Sequence, residues 1–292
     1  MTDITIVEVG PRDGLQNEAR PISAAAKIEL IDRLSACGFK RIEAASFVSP
    51  KWVPQMADGA AVMEGISRRP GTVYSALTPN LKGYEAARAA GADEVAIFGA
   101  ASETFSQRNI NASIAESLER FRPVAEAAKA DGIPVRGYVS CIVVCPYEGA
   151  IAPDAVARVT AALFEMGCHE VSLGDTVGRG TPTSIGAMLE AVLDVAPASR
   201  LAGHYHDTNG RALESVAVSV AQGLQVFDSA IGGLGGCPYA PGAKGNLSTT
   251  KLANWCAENG HRTGLDMERL KQAENFVADL RRDLDAFPDD PA

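Results

Sequence analysis

Histidine is scarce in this chain: its 292 residues hold four. Long apolar runs are missing too. No stretch nears the roughly 20 residues that span a bilayer, which excludes a transmembrane helix. There is no basic block, and the formal charge of −9 argues against nucleic acid or an anionic membrane as partner. A local basic site for a small anionic ligand remains compatible with that balance. The turn Gly10-Pro11-Arg12-Asp13-Gly14, after the first apolar run, does not follow the dinucleotide fingerprint G-x-G-x-x-G. Six cysteines are few for this length and read as reduced thiols in a cytoplasmic protein. The opening Met1-Thr2-Asp3-Ile4 enters a strand at once and leaves no room for a targeting peptide.

What is present is alternation. Short β-rich runs are predicted at 4–9, 41–47, 73–77, 94–99, 135–144, 170–173, 201–206 and 226–231. Helical runs are predicted between them at 24–37, 60–68, 81–90, 114–130, 153–166, 183–195 and 212–222, then at 249–258 and 267–284. Gly38, Gly91, Gly132, Gly167 and Gly223 stand just past helical runs, where a left-handed C-terminal cap is wanted. Ser23, Ser113 with Glu116, and Thr183 are the expected N-caps. Eight strand–helix units predict a closed (β/α)8 TIM barrel, with extra C-terminal helices packed on it. The expectation is one catalytic domain over 1–286 and a polar tail over 287–292.

Half of the histidines fall in one place, Gly203-His204-Tyr205-His206-Asp207. Residues i and i+2 of a strand share a face, so both imidazoles project one way and Tyr205 the other. A lone His-x-His is more often structural than metal-binding. The strand ends shift that balance, because a barrel of this kind does its chemistry there. Arg12 and Asp13 end the first strand. Glu43 and Ser46 lie on the second, Arg136, Tyr138 and Ser140 on the fifth, and Ser172, Asp175 and Thr176 on the sixth. Asp13 supplies a carboxylate and Asn246 an amide oxygen. With two imidazoles they leave room for substrate oxygens in an octahedral shell. That donor set suits Mg²⁺ or Mn²⁺ better than Zn²⁺, which would want thiolate or a third imidazole. The glycine- and proline-rich segment 232–246 carries Cys237 at its middle. A mobile lid bearing a catalytic thiol explains that better than a solvated connection.

Val9-Gly10-Pro11-Arg12-Asp13-Gly14-Leu15-Gln16-Asn17-Glu18 resembles the opening motif of the 3-hydroxy-3-methylglutaryl-CoA lyase (HMG-CoA lyase) family. So do Ser46-Phe47-Val48-Ser49-Pro50-Lys51-Trp52-Val53-Pro54-Gln55-Met56, Ser172-Leu173-Gly174-Asp175-Thr176 and the segment around Cys237. The resemblance implies a metal-dependent barrel acting on a small acyl-CoA. It implies Asp13, His204, His206 and Asn246 as metal ligands, and Arg12, Glu43, His204 and Cys237 as the residues that carry the chemistry. Arg12, Ser46, Tyr138, Asp175 and Thr176 are then the expected substrate contacts, with Glu8, Ser172 and Asp175 supporting the site. A homodimer is expected on the family likeness alone. Tyr205 stands where members often have Cys, and Ala19 where Lys is frequent. The nearest rivals are a lyase for a longer or branched 3-hydroxyacyl-CoA, and a Claisen-condensing synthase on the same barrel. An amidohydrolase would want more histidines on later strands, and a metal-stabilised binding protein would have no need of Arg12 or Cys237.

Overall fold

The computed structural model describes residues 2–237 and 240–286, with the side chains of 236–244 and 283–286 outside that description. Eight parallel strands close into a barrel. They are β1 (Thr5–Glu8), β2 (Arg41–Ser46), β3 (Val73–Leu77), β4 (Glu94–Ala100), β5 (Val135–Ser140), β6 (Glu170–Asp175), β7 (Leu201–Tyr205) and β8 (Val226–Ser229). Each pairs with its neighbours in sequence, and β8 returns to β1 through the register Thr5↔Val226 to Glu8↔Ser229. This is the predicted TIM barrel. Helices cover the outside, and the five predicted capping glycines all have positive φ, from 72° at Gly132 to 111° at Gly167.

After β8 come two more helices, α1 (Thr249–Glu258) and α2 (Met267–Ala286). Leu270, Ala273 and Val277 form the buried stripe of α2, at the three- and four-residue spacing a helix needs. That stripe packs against the helix Ala24–Ala36. Arg33 of that helix lies over the Phe276 ring at 4.8 Å. Among the described residues no helix is long and apolar enough to cross a membrane.

Several local expectations need correction. The apolar run 135–144 is not one strand. It leaves the barrel at Ser140, turns at Cys141 (φ 61°), and Val144–Cys145 then pairs antiparallel with Gly149–Ala150. Cys141 and Cys145 are buried in a small cluster with Phe105, and Ile142 and Val143 join the main core, so their apolarity reflects burial rather than extension of the sheet. The helix Glu103–Ile110 was not expected. Its sequence is polar except for Phe105 and the terminal Ile110, and Ser102 caps it by accepting from the Phe105 N–H at 3.0 Å. The cap of the helix Pro182–Leu193 is Thr181 rather than Thr183, because Pro182 already has the φ of a first helical residue. The helix predicted at 60–68 spans Gly59–Gly65.

The amino-terminal part of the barrel interior is ionic rather than filled by branched apolar side chains. Arg41 bonds Glu94 at 3.0 Å and Glu170 at 2.8 Å. Glu170 also takes Arg136 Nε at 2.7 Å, and Arg136 reaches across to Asp228 on β8 at 2.8 Å. Every charge in this ionic network has a partner of opposite sign. Removing one member of such a buried set costs about 3–5 kcal/mol, because the group left behind is unpaired.

Candidate active site

The first two functional residues are placed by a tight π-turn. The N–H groups of Arg12, Asp13 and Gly14 all donate to Val9 O, at 3.2, 2.8 and 3.2 Å. This coil winds the chain at the end of β1 over the barrel mouth. Glu8 anchors it from below. Its Oε1 accepts from the N–H groups of Gly10 at 2.8 Å and Ile231 at 2.9 Å, and its Oε2 accepts from the Thr249 hydroxyl at 2.6 Å. A side chain on Gly10 would collide with that carboxylate, since a Cβ there would lie 2.6 Å from Oε1. Burial pushes the Glu8 carboxyl up to about 7, against the three hydrogen bonds that favour its ionised form.

Across the mouth, β7 delivers His204 inward and Tyr205 outward. Tyr205 Oη meets Ser219 Oγ at 2.7 Å on an outer helix, as alternation along a strand requires. His206 follows, bridged to Asn246 by backbone pairing. The imidazole rings lie 5.4 Å apart. One potential ligand atom each from Asp13, His204 and His206 come within 4.8 Å of one another. Asn246 closes the fourth side, its Nδ2 donating to Asp13 Oδ2 at 2.7 Å and to Leu234 O at 3.2 Å.

The electrostatics suit a cation. Burial opposes ionisation of Asp13, but Arg12 first, then His204 and the Asn246 hydrogen bond, hold its carboxyl down at about 2. Burial, then the neighbouring His204, pushes His206 down to about 4, so it is a neutral imidazole with a lone pair to offer. Its Nδ1 is buried and has no hydrogen-bond partner among the described residues, an orphan that an ion would satisfy. His204 Nε2 and Asp13 Oδ2 stand 3.9 Å apart, too far for a hydrogen bond. The residues present therefore fit a divalent metal ion.

Beside the triad lies a second charged group. Arg12 splits its guanidinium between Asp13 Oδ1 at 2.7 Å and Glu43 Oε2 at 2.6 Å. Arg12 Nε and Glu43 Oε1 are buried without partners among the described residues. Burial raises the Glu43 carboxyl, opposed by Arg12. Tyr138 joins this group, with its ring centroid 6.0 Å from the Arg12 guanidinium carbon and edge-on to His204 at 6.1 Å.

Other expected residues are placed differently. The Asp175 carboxylate accepts from the loop N–H groups of Arg179 at 3.3 Å and Gly180 at 2.7 Å, so it braces the loop after β6. Thr176 Oγ1 accepts from Cys141 N at 2.9 Å. Ser46 is buried at the end of β2, and its Oγ accepts from Val48 N at 3.4 Å. The backbone of Cys237 pairs with Ala240 in a small antiparallel ladder, and its side chain lies outside the described residues. One residue was missed. Asp228 on β8 accepts from Arg136, from the Ser172 hydroxyl at 2.8 Å and contacts His204 Nδ1 at 3.2 Å. A carboxylate inside an otherwise apolar barrel strand was the available signal, since such strands are buried on both faces.

Comparison with known proteins shows the family. A family model described as HMGL-like matches residues 3–277. The chain is 56% identical to the mitochondrial hydroxymethylglutaryl-CoA lyase of Bos taurus, over 94% of this chain and 84% of that protein. It is 56% identical to a 3-hydroxy-3-isohexenylglutaryl-CoA/hydroxy-methylglutaryl-CoA lyase of Pseudomonas aeruginosa, over 92% of this chain and 90% of that one. The crystal structure of the HMG-CoA lyase from Brucella melitensis superposes with a TM-score of 0.95 at 60% identity, covering 97% of this chain and all of the other.

Proposed function

Because the chain belongs to the HMGL-like family, we propose that it is a metal-dependent carbon–carbon lyase that splits 3-hydroxy-3-methylglutaryl-CoA into acetyl-CoA and acetoacetate. The observation that carries this reading is the half-buried Asp13–His204–His206 triad standing beside the Arg12–Glu43 pair at the carboxyl ends of the strands. A binding protein could use the triad, but it gains nothing from a desolvated Arg–Glu pair left with free valences.

The reaction removes the proton of the tertiary hydroxyl. The carbon–carbon bond then breaks, the former hydroxyl carbon becomes the acetoacetate ketone, and the bond's electron pair enters the thioester carbonyl. The enolate carbon finally takes up a proton. Asp13, His204, His206 and the Asn246 amide would hold a Mg²⁺ or Mn²⁺ ion. When bound, such an ion supplies Lewis acidity that lowers the hydroxyl's pKa and fixes the substrate oxygens. Arg12 stabilises the thioester oxygen as negative charge grows on it. Glu43 holds Arg12 in that attitude and keeps one oxygen for a proton or a bound water. Cys237 serves as one proton carrier. Ser46, Tyr138, Asp175 and Thr176 shape the rim that receives the acyl group. The Pseudomonas aeruginosa relative, named for two acyl groups, favours a second reading in which longer branches are also accepted.

The test is acetoacetate release from 3-hydroxy-3-methylglutaryl-CoA with Mg²⁺ or Mn²⁺ added, repeated after chelation. Release that survives complete removal of divalent ions contradicts the proposal. A bulkier 3-hydroxyacyl-CoA in the same assay separates the two acyl-group readings.

A further inference from the structure

We propose that Asp228 is a positioning residue that sets which nitrogen of His204 faces the metal site. The inference rests on the reading that Asp13, His204 and His206 hold an ion. Asp228 and His204 are directly opposed in the pairing of β8 with β7, so the reach between their side chains follows from strand register. The carboxylate is fully buried and receives donors on every side. Arg136 grips it with two prongs, Nη2 on Oδ1 at 2.8 Å and Nη1 on Oδ2 at 3.1 Å. The Ser172 hydroxyl donates to Oδ2 at 2.8 Å.

Facing a guanidinium fork and a hydroxyl donor, Asp228 can only accept. The contact with His204 Nδ1 at 3.2 Å is therefore a hydrogen bond only if Nδ1 carries the proton. That leaves the lone pair on Nε2, the nitrogen 3.9 Å from Asp13 Oδ2. Among the described residues His206 has no such brace, as its Nδ1 finds no partner there. The two imidazoles are thus unlike: one has its tautomer imposed from behind, and the other is placed by the backbone pairing of His206 with Asn246. Arg136 cannot swing away, because its Nε is held by Glu170 at 2.7 Å and a second prong also reaches Tyr138 Oη at 2.8 Å. The ionic interior of the barrel therefore acts as a rigid mount for one ligand.

In Asp228→Asn the amide cannot reproduce this pattern. With its oxygen on Arg136 Nη2, its NH2 faces His204 and favours the opposite tautomer. With its oxygen toward His204, its NH2 opposes the guanidinium.

The experiment uses full-length protein labelled with ¹⁵N at its four histidines. Long-range ¹H–¹⁵N spectra of the metal-free form are recorded at alkaline pH, where the ring is neutral, and the His204 signal is assigned by its loss in His204→Gln. The expected result is a proton on Nδ1 and a bare Nε2. Asp228→Asn should lose that preference and bind Mn²⁺ about 10- to 100-fold more weakly by calorimetry. Ser172→Ala, which keeps the carboxylate, should retain the wild-type tautomer. Should Asp228→Asn fail to fold, the wild-type and Ser172→Ala spectra decide alone. Mn²⁺ binding by wild type with the proton on Nε2 overturns this inference by itself. So does a folded Asp228→Asn protein with unchanged tautomer and affinity. Wild-type protein that binds no Mn²⁺ overturns the site reading and this inference with it.

Discussion

Glu8→Gln should make the protein less sensitive to a rise in pH from about 4.5 to about 7, by an amount the structure sets. Glu8 is buried under the π-turn, and its carboxyl is pushed from 4.5 up to about 7. Between those values the folded chain holds a proton there that the unfolded chain has released. Stability therefore falls as pH rises from about 4.5 to about 7, and no penalty exists below the unfolded value. A gap of about 2.5 units at about 1.4 kcal/mol each makes the full penalty about 3–4 kcal/mol. Glutamine has no proton to lose. Its carbonyl can accept from the Gly10 and Ile231 N–H groups, and its amide can donate to Thr249 Oγ1, whose other neighbour, Ser229 Oγ at 2.8 Å, can take either role. The assay is urea unfolding of wild type and variant in steps from pH 4.5 to 8.5. The two stabilities should drift apart with rising pH in favour of the glutamine variant and level off above about 7. Parallel curves across that window would refute the argument that burial dominates at Glu8.

Three further outcomes are expected. Arg12→Gln, which leaves Glu43 an amide partner, should lower kcat by about 10²–10³ while KM moves little, since charge on the thioester oxygen grows only in the transition state. Steady-state kinetics read this directly, and a change in KM alone would reassign Arg12 to ground-state binding. Cys237→Ala should lower turnover and leave Mn²⁺ and substrate affinity near wild type. Lost substrate affinity with turnover intact would remove the thiol from proton transfer. Tyr205→Phe should cost about 1 kcal/mol of stability by losing the Ser219 hydrogen bond, with no effect on Mn²⁺ affinity, because its side chain points away from the histidines. A drop in Mn²⁺ affinity would mean that the inward–outward alternation of β7 is misassigned.

Much of the fold was legible because its signals are local. Each capping glycine needs only its own backbone angle, and Ser113 with Glu116 closes a capping box within four residues. The boundaries that failed were cases where burial mimics a strand. Cys141 and Cys145 are buried beside Phe105, while Ile142 and Val143 join the main core, and apolarity alone does not distinguish such burial from a barrel stave. The helix Glu103–Ile110 shows the converse. It buries only Phe105 and Ser106, so it has no apolar stripe to announce it.

The same division runs through the site. Strand period alone put His204 and His206 on one face, and the order of strand and helix alone put Arg12, Asp13 and Glu43 at one end of a barrel. Tertiary structure decided which polar groups meet. Asp13 and Asn246 lie 233 residues apart and touch only because β8 closes against β1. Asp175 and Asp228 looked alike in the chain as carboxylates on barrel strands. Register and burial made one a brace for its own loop and the other the partner of His204. The physical reason is range. Helix and strand periods and caps are settled by neighbours a few residues apart, whereas the pairing of buried charges depends on the closure of the whole sheet.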